Sequence, residues 1–280
     1  MQGKIGPERP KDYHDLVART LAEHAAGPDD LGSLDAAIGA LAAGLEPQFA
    51  ALLERSARAD VEAMLATFPA HGPNGAIRAV VEAVLYQAIE SAWHSGRPTF
   101  PDERSLRGAE GLADFRSAVE RPAFSYILLR ESFWTRAPNA AARRFRMLLN
   151  LPGRNTMGLK VTRCPRATLD YLNSLCARVG SALGLSRPFP LMVTSVLRTR
   201  DHQRHLARIG YLATPRSGHL AGYAADLEQA WYRDNHPRAH AAARAELERD
   251  FAAGRINLMD YGGFWHLCLS PASIAASGAT

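Results

Sequence analysis

The sequence predicts an α+β chain, with an all-helical first part followed by a smaller region in which strands and helices alternate. Three observations carry this. From residue 12 to about 150, apolar residues recur at three- and four-residue spacing, punctuated by Pro and Gly where helices start and stop. Beyond that point, short runs rich in β-branched residues are interleaved with helical repeats. The change falls at Leu151-Pro152-Gly153-Arg154-Asn155, and 280 residues suffice for two cores, so the expected domains are 1–150 and 151–280.

Each element has its own signal. Tyr13, Leu16, Val17 and Leu21 share one helical face, and Ser33 can cap the run Leu34, Ile38, Leu41, Leu45. Pro47 suits the first turn of a helix carrying Phe49, Leu53, Val61, Met64 and Phe68, which Pro69 ends. The clearest helix runs from Ala76 to His94, where Ile77, Val80, Val81, Val84, Leu85, Ile89 and Trp93 form a continuous stripe. Further helix starts are expected at Asp102, Pro122 and Pro138. In the second part, 157–161 reads as a short strand, and Leu169, Leu172, Leu175, Val179 and Leu183 as a helix closed by Gly184. Residues 191–197 read as a buried strand, 201–209 as a helix, 224–227 as a strand, 237–253 as an Ala-rich helix and 265–269 as a last strand.

Composition limits the function classes. The net charge is +5, but the basic residues are almost all Arg, with Lys only at 4, 11 and 160, which together with abundant Ala reads as coding bias. A nucleic-acid partner is therefore not expected, although an anionic one is easily accommodated. Cys164, Cys176 and Cys268 are odd in number and have no CxxC spacing, against both a disulfide framework and a zinc knuckle. No apolar run approaches the ~20 residues of a membrane span, and the first ten residues hold no apolar core of signal-peptide length.

The chemistry concentrates in Ser217-Gly218-His219-Leu220-Ala221-Gly222-Tyr223-Ala224-Ala225-Asp226 and in Phe264-Trp265-His266. Two imidazoles and one carboxylate, His219, His266 and Asp226, can ligate a catalytic Zn²⁺ and leave a fourth position for water. His219 and Asp226 lie seven positions apart, so the chain must turn and then extend to aim both at one point, and Gly218 and Gly222 permit such a turn. A strand carrying His266 would bring the third ligand beside Asp226. On residue types alone, the alternative is a packed strand histidine beside an unrelated carboxylate.

Thr194-Ser195-Val196-Leu197-Arg198-Thr199 with Gln203 and Leu206, then the S-x-H-x-x-G-x-A-x-D run, then Trp265-His266 follow one another in a familiar order. Over residues 157 to 271 the chain resembles the D-Ala-D-Ala carboxypeptidase and VanX-type zinc peptidases, a superfamily that also holds lysostaphin-type endopeptidases and the Hedgehog signalling domain. The resemblance implies a mainly antiparallel sheet and Zn²⁺ held by His219, Asp226 and His266. It further implies that Arg198 contacts the substrate carbonyl or oxyanion, with Gln203 and Ser217 in substrate binding. The implied substrate is a peptidoglycan-derived peptide, which places the protein in the periplasm or outside the cell; the absent signal sequence leaves the cytoplasm open.

One position departs from that pattern. Carboxypeptidases of this group carry a Glu three residues before the last histidine, where it takes a proton from metal-bound water. Gly263 stands there in this chain. Murein endopeptidases ending in Tyr-x-x-x-Phe-x-His also lack that Glu, and Tyr261…Phe264-Trp265-His266 is similar but one residue shorter. Asp260 or Glu228 could supply the base from a neighbouring position. Alternatively, the metal persists without hydrolysis in a binding or regulatory derivative. The expectation is a zinc-dependent peptidase-like protein with Arg198 and Asp260 as catalytic residues, the rival a non-catalytic metal protein. For the helical half an interaction or substrate-covering role is expected, with an Arg-rich nucleic-acid module as the weaker alternative.

Overall fold

The structure, a computed structural model, describes residues 4–24, 31–67, 73–117, 121–129, 141, 144–153, 156 and 158–277. It divides into two compact units, one of Met1–Leu106 with Thr199–Ala221, the other of Arg107–Arg198 with Gly222–Thr280. The division differs from a single boundary near residue 151. Residues 112–126 read as helical in sequence, but they supply strands that pair with C-terminal ones, so they belong with the sheet.

The first unit is helical. It contains α1 (Pro10–His24), α2 (Leu31–Gly44), α3 (Pro47–Thr67), α4 (Pro73–His94) and the short α5 (Glu103–Leu106). Pro47 opens α3 as its pre-set φ favours. Ser33 lies inside α2 rather than at its cap, and α4 starts three residues before Ala76. Asp102 accepts from the Ser105 N–H at 2.9 Å and starts α5 as expected, although that helix lasts four residues. Side chains from α1 to α4 fill one core, in which Tyr13, Val17, Leu41, Leu45, Leu53, Val61, Leu85 and Ile89 are fully buried. Residues 199–221 add α7 (Arg200–Arg208), which packs on α3, and a 3₁₀ turn, Gly218–Leu220, which packs on α4.

The second unit holds two sheets. β1 (Leu112–Asp114) pairs antiparallel with β3 (Arg163–Pro165). The main sheet has the order β2-β4-β5-β7-β6, with β2 (Ser125–Tyr126), β4 (Met192–Ser195), β5 (Ala224–Glu228), β7 (Phe264–Leu269) and β6 (Ile256–Asp260). Only the β2–β4 pairing among these is parallel. Pro122 does not start a helix; residues 121–124 are irregular and lead into β2. Of the strand expected at 157–161, Met157 lies outside the described residues and Leu159 makes one isolated bridge to Leu128. The helix expected at Pro138 also lies outside them.

Because strand side chains alternate, the main sheet has two distinct faces. Ala225, Leu227, Trp265, Leu267 and Leu269 point to one face and join a core with Leu169, Leu172, Leu175 and Val179 of α6 (Arg166–Ala182). Ala239, Ala243 and Leu247 of the helix Pro237–Ala252 complete that core. The other face carries Asp226, Glu228, Asn257, Met259, His266 and Cys268, all buried. A buried face with this many polar groups is not made for packing alone.

Candidate metal centre

Asp226 and His266 sit directly opposite each other on the antiparallel pair β5–β7, so their side chains rise from the same face. His266 Nδ1 is 2.8 Å from Asp226 Oδ1. The second carboxylate oxygen, Oδ2, accepts from an Arg198 guanidinium N–H. Arg198 lies three residues beyond β4, and its Nε–H donates to Ser195 Oγ at 2.8 Å, which fixes the plane of the guanidinium. The contact is a charge-assisted hydrogen bond to one carboxylate oxygen, with the guanidinium oriented by Ser195.

His219 is the middle residue of the 3₁₀ turn Gly218–Leu220. Ser217 caps that turn, its Oγ accepting from the His219 N–H at 3.4 Å. His219, Asp226 and His266 are at most 5% exposed, and each offers one ligand atom within 4.8 Å of the others. Two imidazole nitrogens and one carboxylate oxygen at this spacing form a donor set that fits a borderline divalent ion such as Zn²⁺. The main chain of Asp226 is held as well, since Thr194 Oγ1 donates to its backbone carbonyl at 3.2 Å.

Gly222 acts as the sequence suggested: its φ of +80° belongs to the region open mainly to glycine. A Cβ there would stand 2.6 Å from Pro165 Cδ and 3.0 Å from Leu197 Cδ1. Its carbonyl is held by Thr168 Oγ1 at 2.8 Å. Gly218 does not adopt a positive φ, and what it supplies is its N–H, which donates to Glu90 Oε2 at 2.8 Å.

The remaining expected residues are placed less directly. Gln203 is buried on α7 and donates to the Thr214 carbonyl at 2.8 Å, so it braces the segment leading to Ser217. Asp260 pairs with Trp265, which puts it on the sheet face opposite to His266. It also accepts from Gln229 Nε2 at 2.9 Å and from the Gly262 N–H at 2.7 Å, so it shapes the β6–β7 turn. Glu228 shares the face of Asp226 and His266, two residues along β5, and accepts from the Trp231 N–H at 3.2 Å. Gly263 accepts at its carbonyl from the N–H groups of Gln229 and Ala230, and a Cβ on it would meet nothing within 4 Å. Sequence reasoning missed Glu90, whose signal was a carboxylate in the middle of the most apolar helical stripe. Comparison with known proteins finds no matching family model, no matching curated protein and no matching solved structure.

Proposed function

We propose that this protein holds Zn²⁺ through His219, Asp226 and His266 and hydrolyses peptide bonds of peptidoglycan-derived peptides, in the periplasm or outside the cell. The observation that carries the reading is the buried His–Asp–His cluster with Arg198 on its carboxylate. The resemblance of residues 157–271 to the zinc D-Ala-D-Ala peptidases supplies the substrate class. Bound at these three groups, the ion would supply Lewis acidity and a water of lowered pKa. The chain's own residues do the rest. Asp226 and His266 are fixed by strand register, His219 by a capped turn, and Arg198 by Ser195. The guanidinium beside Asp226 is a fixed cation that would favour negative charge developing on an acyl oxygen bound at the site. Glu228 is the buried carboxylate on the ligand face of the sheet and takes precedence over Asp260 as proton acceptor in this reading.

Gly263 favours a second reading, a metal-containing binding or regulatory protein without turnover. The two separate on incubation with muropeptides and one equivalent of Zn²⁺. Cleavage that chelator abolishes and His266→Ala lacks supports the peptidase. Metal binding without cleavage supports the second reading, and absence of metal binding refutes both. Among the described residues no helix is long and apolar enough to cross a membrane.

A further inference from the structure

Helix α4 carries a buried polar stripe inside its apolar sequence. Gln87, Glu90, Ser91 and His94 follow at i, i+3, i+4 and i+7 on one face, and Glu90 is fully buried. Three of the four bind the segment that delivers His219. Thr214 Oγ1 donates to Gln87 Oε1, the Gly218 N–H donates to Glu90 Oε2 at 2.8 Å, and Ser91 Oγ donates to the Arg216 carbonyl at 3.2 Å. Gln203 closes the brace from α7 through the Thr214 carbonyl. A carboxylate removed from water costs several kcal/mol unless hydrogen bonds replace its hydration. An apolar side chain would suit a fully buried position better, so the carboxylate has to be accounted for by what it holds.

We propose that Glu90 is a positioning residue for the metal centre: by accepting the Gly218 N–H it sets the turn whose next residue, His219, is a ligand. The inference rests on the metal reading above. Hydrogen bonds behind metal ligands set their orientation, and losing one typically lowers metal affinity about 10–100-fold.

Co²⁺ alone is the probe, titrated into the full-length protein and followed by its visible absorption, with far-UV circular dichroism and melting of each metal-free variant alongside. Glu90→Asp keeps the charge but withdraws the oxygen by one methylene, and about 10–100-fold weaker binding with an altered Co²⁺ spectrum is expected. Glu90→Gln keeps an acceptor at the original reach and is expected to bring affinity back to within about 3-fold of the wild type. Amide exchange at Gly218 in the metal-free protein should quicken in Glu90→Asp and not in Glu90→Gln. Binding and spectrum unchanged in Glu90→Asp would overturn the proposal and leave the metal reading standing. Glu90→Gln as weak as Glu90→Asp overturns it too, since charge rather than the hydrogen bond would then matter. If the wild type takes up no Co²⁺, the metal reading itself fails and this inference with it.

Discussion

Gly222→Ala tests whether the fold is strained to aim His219 and Asp226 from one short segment. An L side chain in the left-handed region costs about 1–2 kcal/mol. The new Cβ would also stand 2.6 Å from Pro165 Cδ, 3.0 Å from Leu197 Cδ1 and 3.2 Å from Pro165 Cγ. Two of these atoms are part of a ring, so relief requires the end of β3 to move, and overpacking of this kind costs about 1–3 kcal/mol. Set against a gain of about 0.4–1 kcal/mol from the stiffer unfolded chain, the net loss is about 1–5 kcal/mol, or roughly 2–8 °C in melting temperature for a protein of this size. The assay is urea denaturation of the metal-free protein, repeated with metal present. A ligand at 100 times its Kd adds about 2.7 kcal/mol to the wild type. That increment should shrink in Gly222→Ala, because residue 222 lies between His219 and Asp226. Gly263→Ala is the control: with open space around its Cβ and no positive φ, it should stay within about 0.5 kcal/mol of the wild type. A metal-free Gly222→Ala protein as stable as the wild type would refute the reasoning.

Three further outcomes follow from the same structure. Burial raises the pKa of Asp60, and Arg216, 3.7 Å away, only partly opposes this. The folded state therefore binds the proton more tightly, so stability falls as pH rises upward from the ordinary aspartate value of 3.8. Asp60→Asn should flatten that part of the stability profile in urea melts, and an unchanged slope would contradict the assignment. Arg178 bridges the buried Glu246 at 2.8 Å and the buried Asp250 at 2.6 Å. Arg249 and Arg255 still reach these carboxylates in Arg178→Ala, so the loss should be about 2 kcal/mol by chemical denaturation, and under about 0.5 kcal/mol would show the network to be ornamental. Burial pushes the Cys176 thiol up to about 11, and Cys164 and Cys268 are buried as well. Iodoacetamide should label all three only after unfolding, as mass spectrometry can show; stoichiometric labelling of the folded chain would contradict it.

Much of the second unit was legible because its signals are local. The helix closed by Gly184, the Pro237 helix and the strands at 191, 224 and 265 follow from periodicity, proline and β-branched residues. β6 was missed because Asn257 and Asp260 interrupt its apolar pattern, and their burial or turn role depends on β7 as partner. β1 and β2 are two or three residues long and owe their form to β3 and β4, which local sequence cannot announce. At the site, the grouping of His219, Asp226 and His266 could be read from residue types and order, but the sheet face of Asp260 could not, since it needs the register. Glu90 and Gln87 needed the loop at 214–218 to be seen against α4, more than a hundred residues away in sequence. Their helical spacing with Ser91 and His94 was present as a sign, but as polar interruptions in an apolar stripe they carry no meaning until their partners are known.

The pairing of Asp226 with His266 limits how the chain can change in length. Strand side chains repeat every two residues, so one residue inserted between Phe264 and His266 would turn the imidazole into the packed layer that Trp265 and Leu267 occupy. Insertions at Gly262 and Gly263 fall in the exposed turn before β7 and leave the β5–β7 pairing intact. The hairpin tip can therefore be lengthened at the cost of the hydrogen bonds that Gln229, Ala230 and Asp260 make to it, while the strand that begins at Phe264 is fixed in register.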